Sequence, residues 1–147
     1  MANGKRDRGH QKQEQEDPIL ARIKQVRSFV EIKPNEYAIP GKFAEEIAMR
    51  EKDMKTAQLR KFFTKIKNLE KKLQGKSKDE LLSEEFKNEV YLIIPELAYS
   101  KGRGLIKQGF FEIIVTVIKD KLQTVNDFRN FSRFVTAIVA YKKAHGG

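Results

Sequence analysis

The stretch TAQLRKFFTKIKNLEKKLQ, residues 56–74, decides how the rest of the chain is read. Leu59, Phe62, Phe63, Ile66, Leu69 and Leu73 recur every three or four residues, which lays one apolar stripe along a helix. Arg60, Lys61, Thr64, Lys65, Lys67, Asn68, Lys71 and Lys72 fill the remaining angles. Gly75 is placed to end the helix, and Lys71 and Lys72 suit the negative end of its dipole. A helix this polar on one side has to bury its stripe against other helices.

The same code runs in both directions from there. Downstream, Ser77 with Glu80 resembles a capping box, and Ser83-Glu84-Glu85 starts a helix to about Ser100 on Phe86, Val90, Ile93, Ile94 and Leu97. Pro95 inside it removes one hydrogen bond and predicts a kink. Gly102 and Gly104 supply a break. Residues 105–122 are apolar at nearly every angle, which predicts a central helix buried almost all round. Thr124 with Asp127 caps the last helix, which runs to about His145 with Phe128, Phe131, Val135, Ile138 and Val139 facing inward. Upstream, Asp17-Pro18 opens a helix on Ile19, Ile23, Val26 and Val30 that ends near Ile32, before Lys33-Pro34. Residues 35–41 read as a linker and Phe43 to Arg50 as a short amphipathic helix. Polar residues 1–17 read as a disordered tail. The remainder, 18–147, predicts an all-α, single-domain bundle of about five to six largely antiparallel helices, with N-terminal helices in 18–55 and the core bundle in 56–147.

Composition removes whole classes of function. There is no cysteine, and the two histidines, His10 and His145, sit in the tails, so thiolate, triad and common zinc chemistry have no residues to work with. No phosphate loop, dinucleotide fingerprint or calcium loop is present. Asp79, Glu80, Glu84, Glu85, Glu89 and Glu96 could serve acid–base or magnesium chemistry, but acids in first helical turns explain them more simply. A non-enzymatic protein without metal or cofactor is expected. No apolar run of transmembrane length exists and Met1–Asp17 lacks the apolar stretch of a signal peptide, so a cytoplasmic address is expected.

Net charge is +10, and it is not spread evenly. Residues 55–78 carry nine basic groups against one acid; residues 79–100 carry one against six; residues 101–147 carry nine against three. Concentrated positive charge on a folded domain suits a polyanion or an acidic protein. The phenylalanines fall on core stripes, leaving Tyr99 and Tyr141, near helix ends, open between packing and contact. Arg129 and Arg133 stand one turn apart with Asn126 and Asn130 on the same face, and Arg60 opens the basic helix. The turn Ser100-Lys101-Gly102-Arg103-Gly104 puts two cations on an exposed tip that could cradle phosphate. Surface solubility with local salt bridges to Asp127 or Glu96 accounts for these arginines equally well.

Three segments tip that balance. Thr56-Ala57-Gln58-Leu59-Arg60-Lys61-Phe62, then Ile94-Pro95-Glu96-Leu97-Ala98-Tyr99-Ser100-Lys101-Gly102-Arg103, then Asn130-Phe131-Ser132-Arg133-Phe134-Val135 and the following Thr136 to Tyr141, in this order and spacing, resemble the small subunit of type III-A CRISPR–Cas effector complexes, the Csm complex. The likeness covers about Thr56 to Gly147. It implies a helical bundle stacked in a row of copies, self-associating, against the backbone subunits that hold the guide RNA and reaching the large subunit at one end. It also implies a non-catalytic role in antiviral defence, lining the groove for target RNA and holding its backbone without reading sequence. By the match, Arg60, Arg103 and Arg133 take the family's recurrent basic positions, with Lys61, Lys101 and Arg129 beside them; Lys71, Lys72 and Lys76 are expected to serve the helix end instead. Two other readings stand beside this one. One is a DNA-binding regulator using 124–145 as its recognition helix, although that helix is apolar on too many sides to lie in a groove. The other is a protein-only scaffold docking through the acidic 79–100 segment.

Overall fold

The structure, a computed structural model, describes residues 16–146. Helices occupy 69% of these residues, and the only β pairing among them is a single bridge between Leu81 and Thr124. In chain order the α-helices are α1 (Pro18–Gln25), α2 (Pro34–Tyr37), α3 (Phe43–Arg50), α4 (Thr56–Lys71), α5 (Glu84–Tyr91), α6 (Ile93–Gly102), α7 (Gln108–Asp120) and α8 (Val125–Ala144), with a 3-10 turn at Phe29–Glu31. Residues 1–15 of the expected tail lie outside the described residues; Asp17 does not, and it caps α1 by accepting from Ile19 N–H at 3.0 Å.

The helices legible in the sequence are present, but two are divided and one turn is added. Helix α1 stops at Gln25 rather than near Ile32, because Val26 leaves helical backbone at φ −79°, ψ 156°. Tertiary partners capture the chain there. Lys121 Nζ donates to Val26 O at 2.7 Å, Phe29 N–H donates to Lys121 O at 2.9 Å, and Val30 N–H donates to Asp127 Oδ1 at 2.8 Å. The kink expected at Pro95 divides the helix at a single residue, Leu92, which itself keeps helical backbone at φ −67°, ψ −13°. A proline ring collides with the carbonyl four residues before it, here Tyr91, and Tyr91 is where α5 ends. The expected linker holds the one-turn helix α2, which delivers Tyr37 to the core at 1% exposure. Ser77 and Glu80 cap no helix; the chain there runs beside the α7–α8 junction, with Leu82 N–H on Gln123 O and Val125 N–H on Glu80 O, both at 2.9 Å. Gly75 does turn the chain at the end of α4, at φ +82°, while α6 continues through Gly102 and the reversal falls to Gly104 at φ +76°.

One apolar cluster runs from Ile19 to Ile138, and α8 is its axis. Phe29, Tyr37, Phe128, Phe131 and Phe134 form an aromatic knot with ring centroids 5.4–6.3 Å apart. Edge-to-face pairs such as Tyr37–Phe134, at 82°, add about 0.5–1.5 kcal/mol each beyond the area they bury. Helix α7 is less enclosed than its composition suggests. Phe110, Ile113, Ile114, Val117 and Ile118 are buried, Phe111 and Val115 only partly, and Glu112 faces out. Helix α4 packs antiparallel to α8: its start adjoins Val139 to Lys143, and its end adjoins Arg129. Both ends of α1 are tied by bidentate pairs, Asp17 to Arg50 of α3 and Arg22 to Glu36 of α2.

Candidate nucleic-acid interface

Helix α4 is the seam of the basic surface because its polar angles look three ways. Gln58, Lys61, Lys65 and Lys72 fall toward α5 and α6, Lys67 and Glu70 toward α8, and Arg60, Thr64, Asn68 and Lys71 lie on and beside the outward ridge. The acidic 79–100 segment docks against the first of these flanks. Lys65 meets Glu96 at 3.0 Å and Lys72 meets Glu89 at 2.8 Å, and just beyond the helix Lys76 meets Glu80 at 3.4 Å. Lys67 is taken by Glu70 at 3.2 Å. Each of these pairs is partly exposed and adds about 0–1 kcal/mol at most. Their larger effect is to cancel charge locally. Among the described residues Arg60, Lys61 and Lys71 have no carboxylate within ion-pair distance.

The six candidate residues separate accordingly. Arg60 borders a groove of about 250 Å³ between α4 and the end of α8, with Ala140 and Lys143 opposite. Lys61 and Arg103 border a second cleft, of about 620 Å³, between α4 and α6. Arg133 is exposed on the outer face of α8, two turns before Ala140 and hence on the same side of that helix. Arg60, Lys61, Arg103 and Arg133 are thus exposed; Arg60 borders one groove beside α4, and Lys61 and Arg103 border the other. Arg133 also lies near Tyr37, whose hydroxyl titrates higher than an ordinary tyrosine because burial outweighs the pull of that guanidinium.

Lys101 and Arg129 have local work. Lys101 Nζ bonds Gln108 Oε1 at 3.0 Å and sits 4.8 Å from the Phe111 ring centroid, so its ammonium stitches α6 to α7. Arg129 Nη2 donates to Leu73 O and Lys76 O, both at 3.1 Å. It ties down the turn that follows α4, while Lys71 stands in the helix's last turn as expected. The asparagine–arginine stripe therefore dissolves: Asn130 is buried and donates to Asn126 O at 3.0 Å, and only Arg133 remains outward. The proposed partner Asp127 is no surface anion either. At 1% exposure it accepts from Val30, Gln123 and Thr124 N–H at 2.8–3.0 Å. Sequence reasoning missed the floor of the larger cleft, where Gln58 Nε2 donates to buried Ser100 Oγ at 2.8 Å. No spacing rule pairs residues so far apart.

Among the described residues no group of three or more His, Asp or Glu side chains could hold a metal, and no helix is long and apolar enough to cross a membrane. The site thus defines a class: a helical bundle carrying a basic surface that is sharpened on one ridge and cancelled on the adjoining flank. Compared with known families, residues 35–147 match the model of Csm2, Type III-A. The chain belongs to that family, and so to the small subunits of type III-A CRISPR–Cas effector complexes. The match begins at Asn35, upstream of the Thr56 from which the likeness runs in the sequence, and so takes in α3 and most of α2. A search of curated proteins gave no match, and a search of solved structures gave none.

Proposed function

We propose that this chain is a non-catalytic subunit that lies along RNA inside the type III-A complex and grips the phosphate backbone without reading sequence. The observation that carries this is the set of unpartnered cations on and around α4: Arg60 and Lys61 have no carboxylate partner among the described residues, and Arg103 and Arg133 are exposed. Guanidinium groups take phosphate oxygens in bidentate fashion, and sequence choice can be left to pairing between guide and target. One bundle offers few such contacts, so useful affinity comes from several copies in a row beside the guide-holding backbone subunits. The exposed apolar pair Tyr91 and Leu92, at the α5–α6 break, suits a protein contact in such a row. Reversing Arg133 to Glu tests the reading. Binding should weaken about tenfold, the worth of one charge-assisted hydrogen bond, and equally for two unrelated RNA sequences. Loss confined to one sequence would refute backbone recognition. Unfolding of Arg133→Glu, seen as lost helicity, would make that arginine structural.

A further inference from the structure

The two tyrosines that the sequence left open have different fates. Tyr141 Oη donates to Ala38 O at 2.7 Å and is partly buried, so it belongs to the packing. Tyr99 is 66% exposed and makes no side-chain hydrogen bond among the described residues. It stands at the rim of the α4–α6 cleft, whose 620 Å³ falls within the range of small-ligand sites, about 300–1,000 Å³. The Arg103 guanidinium, one turn further along α6, lies 5.8 Å from the Tyr99 ring centroid. Lys61 reaches the rim from α4. The only carboxylate lining the cleft, Glu96, is held by Lys65 at 3.0 Å, so the mouth keeps a positive balance. The Gln58–Ser100 hydrogen bond puts polar atoms on the cleft floor, and Phe62 and Leu97 add apolar lining.

We propose that this cleft receives one unpaired nucleotide of the bound RNA, its base stacked on the Tyr99 ring and its flanking phosphates held by Arg103 and Lys61. The inference rests on the RNA reading above and adds a base contact to it, since phosphate binding alone has no use for an exposed aromatic ring. A tyrosine this exposed contributes little to folding. Every base has a π-face, so stacking here tolerates any sequence and agrees with recognition that does not read one. A base locked in a duplex cannot reach the ring, so the site selects single-stranded or extruded nucleotides. The apolar walls would also fit a side chain of a protein partner. Charge decides against that: two free cations at the rim match phosphates on both sides of a base.

The chain has no tryptophan, so Tyr99→Trp creates a single fluorescent reporter that keeps the stacking surface. The full-length protein is titrated with a short oligouridylate and with an abasic ribose-phosphate strand of equal length. The indole fluorescence of the Tyr99→Trp protein should be quenched by the first strand and not by the second. Tyr99→Ala should weaken oligouridylate binding about tenfold while leaving the abasic strand unaffected. Equal binding of both strands with unquenched fluorescence would overturn the base contact while leaving phosphate recognition intact. A Tyr99→Ala protein that binds RNA normally but fails to enter the assembled complex would overturn it in favour of a protein partner. Binding of neither strand by the parent protein would overturn this inference together with the RNA reading on which it rests.

Discussion

The outward ridge of α4 and the flank facing α5 and α6 are built from nearly the same residues, yet the fold leaves the charge of one open and cancels most of the other's. On the flank, Lys65 and Lys72 end on Glu96 and Glu89. On the ridge, Arg60 and Lys71 meet no carboxylate among the described residues. A block of nine basic residues against one acid therefore does not act as a uniform field. An acidic segment that follows it in sequence folds back and cancels one side. The difference teaches that a polyanion site is defined by which cations lack a partner, and that pairing is a property of the fold.

Both flanks depend on the same support, so the largest effect should abolish them together. Phe131 is fully buried in the aromatic knot beneath α8. Phe131→Ala should cost about 3–5 kcal/mol in urea unfolding, and any drop in RNA binding should follow the unfolded fraction. A cost below about 1 kcal/mol would mean that α8 is not the axis of the bundle.

The comparison sharpens at a buried carboxylate that no cation reaches within ion-pair distance among the described residues. Glu51 is 3% exposed and makes no ion pair among the described residues; its Oε1 accepts Lys107 N–H at 3.3 Å. Burial raises its carboxyl above the ordinary value of 4.5, against the smaller opposing effects of that hydrogen bond and of the Lys107, Lys142 and Arg50 charges. The folded state thus holds the proton more tightly than the unfolded one, and stability falls as pH rises from about 4.5 through the raised folded value. Glu51→Gln keeps an acceptor for Lys107 and removes the charge. Its thermal midpoint should exceed the parent's at pH 7 and converge with it near pH 4. A variant less stable than the parent at pH 7 would mean that the carboxylate is paired in solution.

The smallest expected effect converts one flank into the other. Glu89→Gln releases Lys72 from its 2.8 Å partner while leaving both side chains at the surface. Stability should change by less than about 1 kcal/mol, and RNA affinity should rise slightly, with a steeper salt dependence. Unchanged affinity and slope would place Lys72 beyond reach of the RNA whether paired or not.

The sequence carried the helices because local periodicity writes them. The stripe of α4, the Thr124–Asp127 cap and the Ser83 cap all needed only neighbours within one turn. What it did not carry was every outcome decided by a distant group. Val26 leaves its helix because Lys121 takes its carbonyl, and Arg129 holds the turn after α4 from across the bundle. The division at Pro95 was half legible, since proline marks a disturbance but not its size. At the candidate site, Arg60, Arg103 and Arg133 are exposed as their residue types suggest, whereas Lys101 and Arg129 are drawn into local bonds that no spacing rule reveals. Tyr99 stayed ambiguous because exposure of a ring near a helix end depends on whether a neighbouring helix covers it.

The central claim is that unpaired cations on the ridge hold RNA and paired cations on the flank do not, and α4 carries both kinds. Arg60→Glu and Lys72→Glu should therefore be measured side by side, in the full-length protein, against single-stranded RNA over a range of salt. Arg60→Glu should weaken binding several-fold and reduce the salt slope by about 0.7, the share of the one phosphate that Arg60 no longer holds. Lys72→Glu should leave the slope unchanged. Equal weakening by both reversals would contradict the account, because binding would then follow total charge and not the partners that the fold assigns.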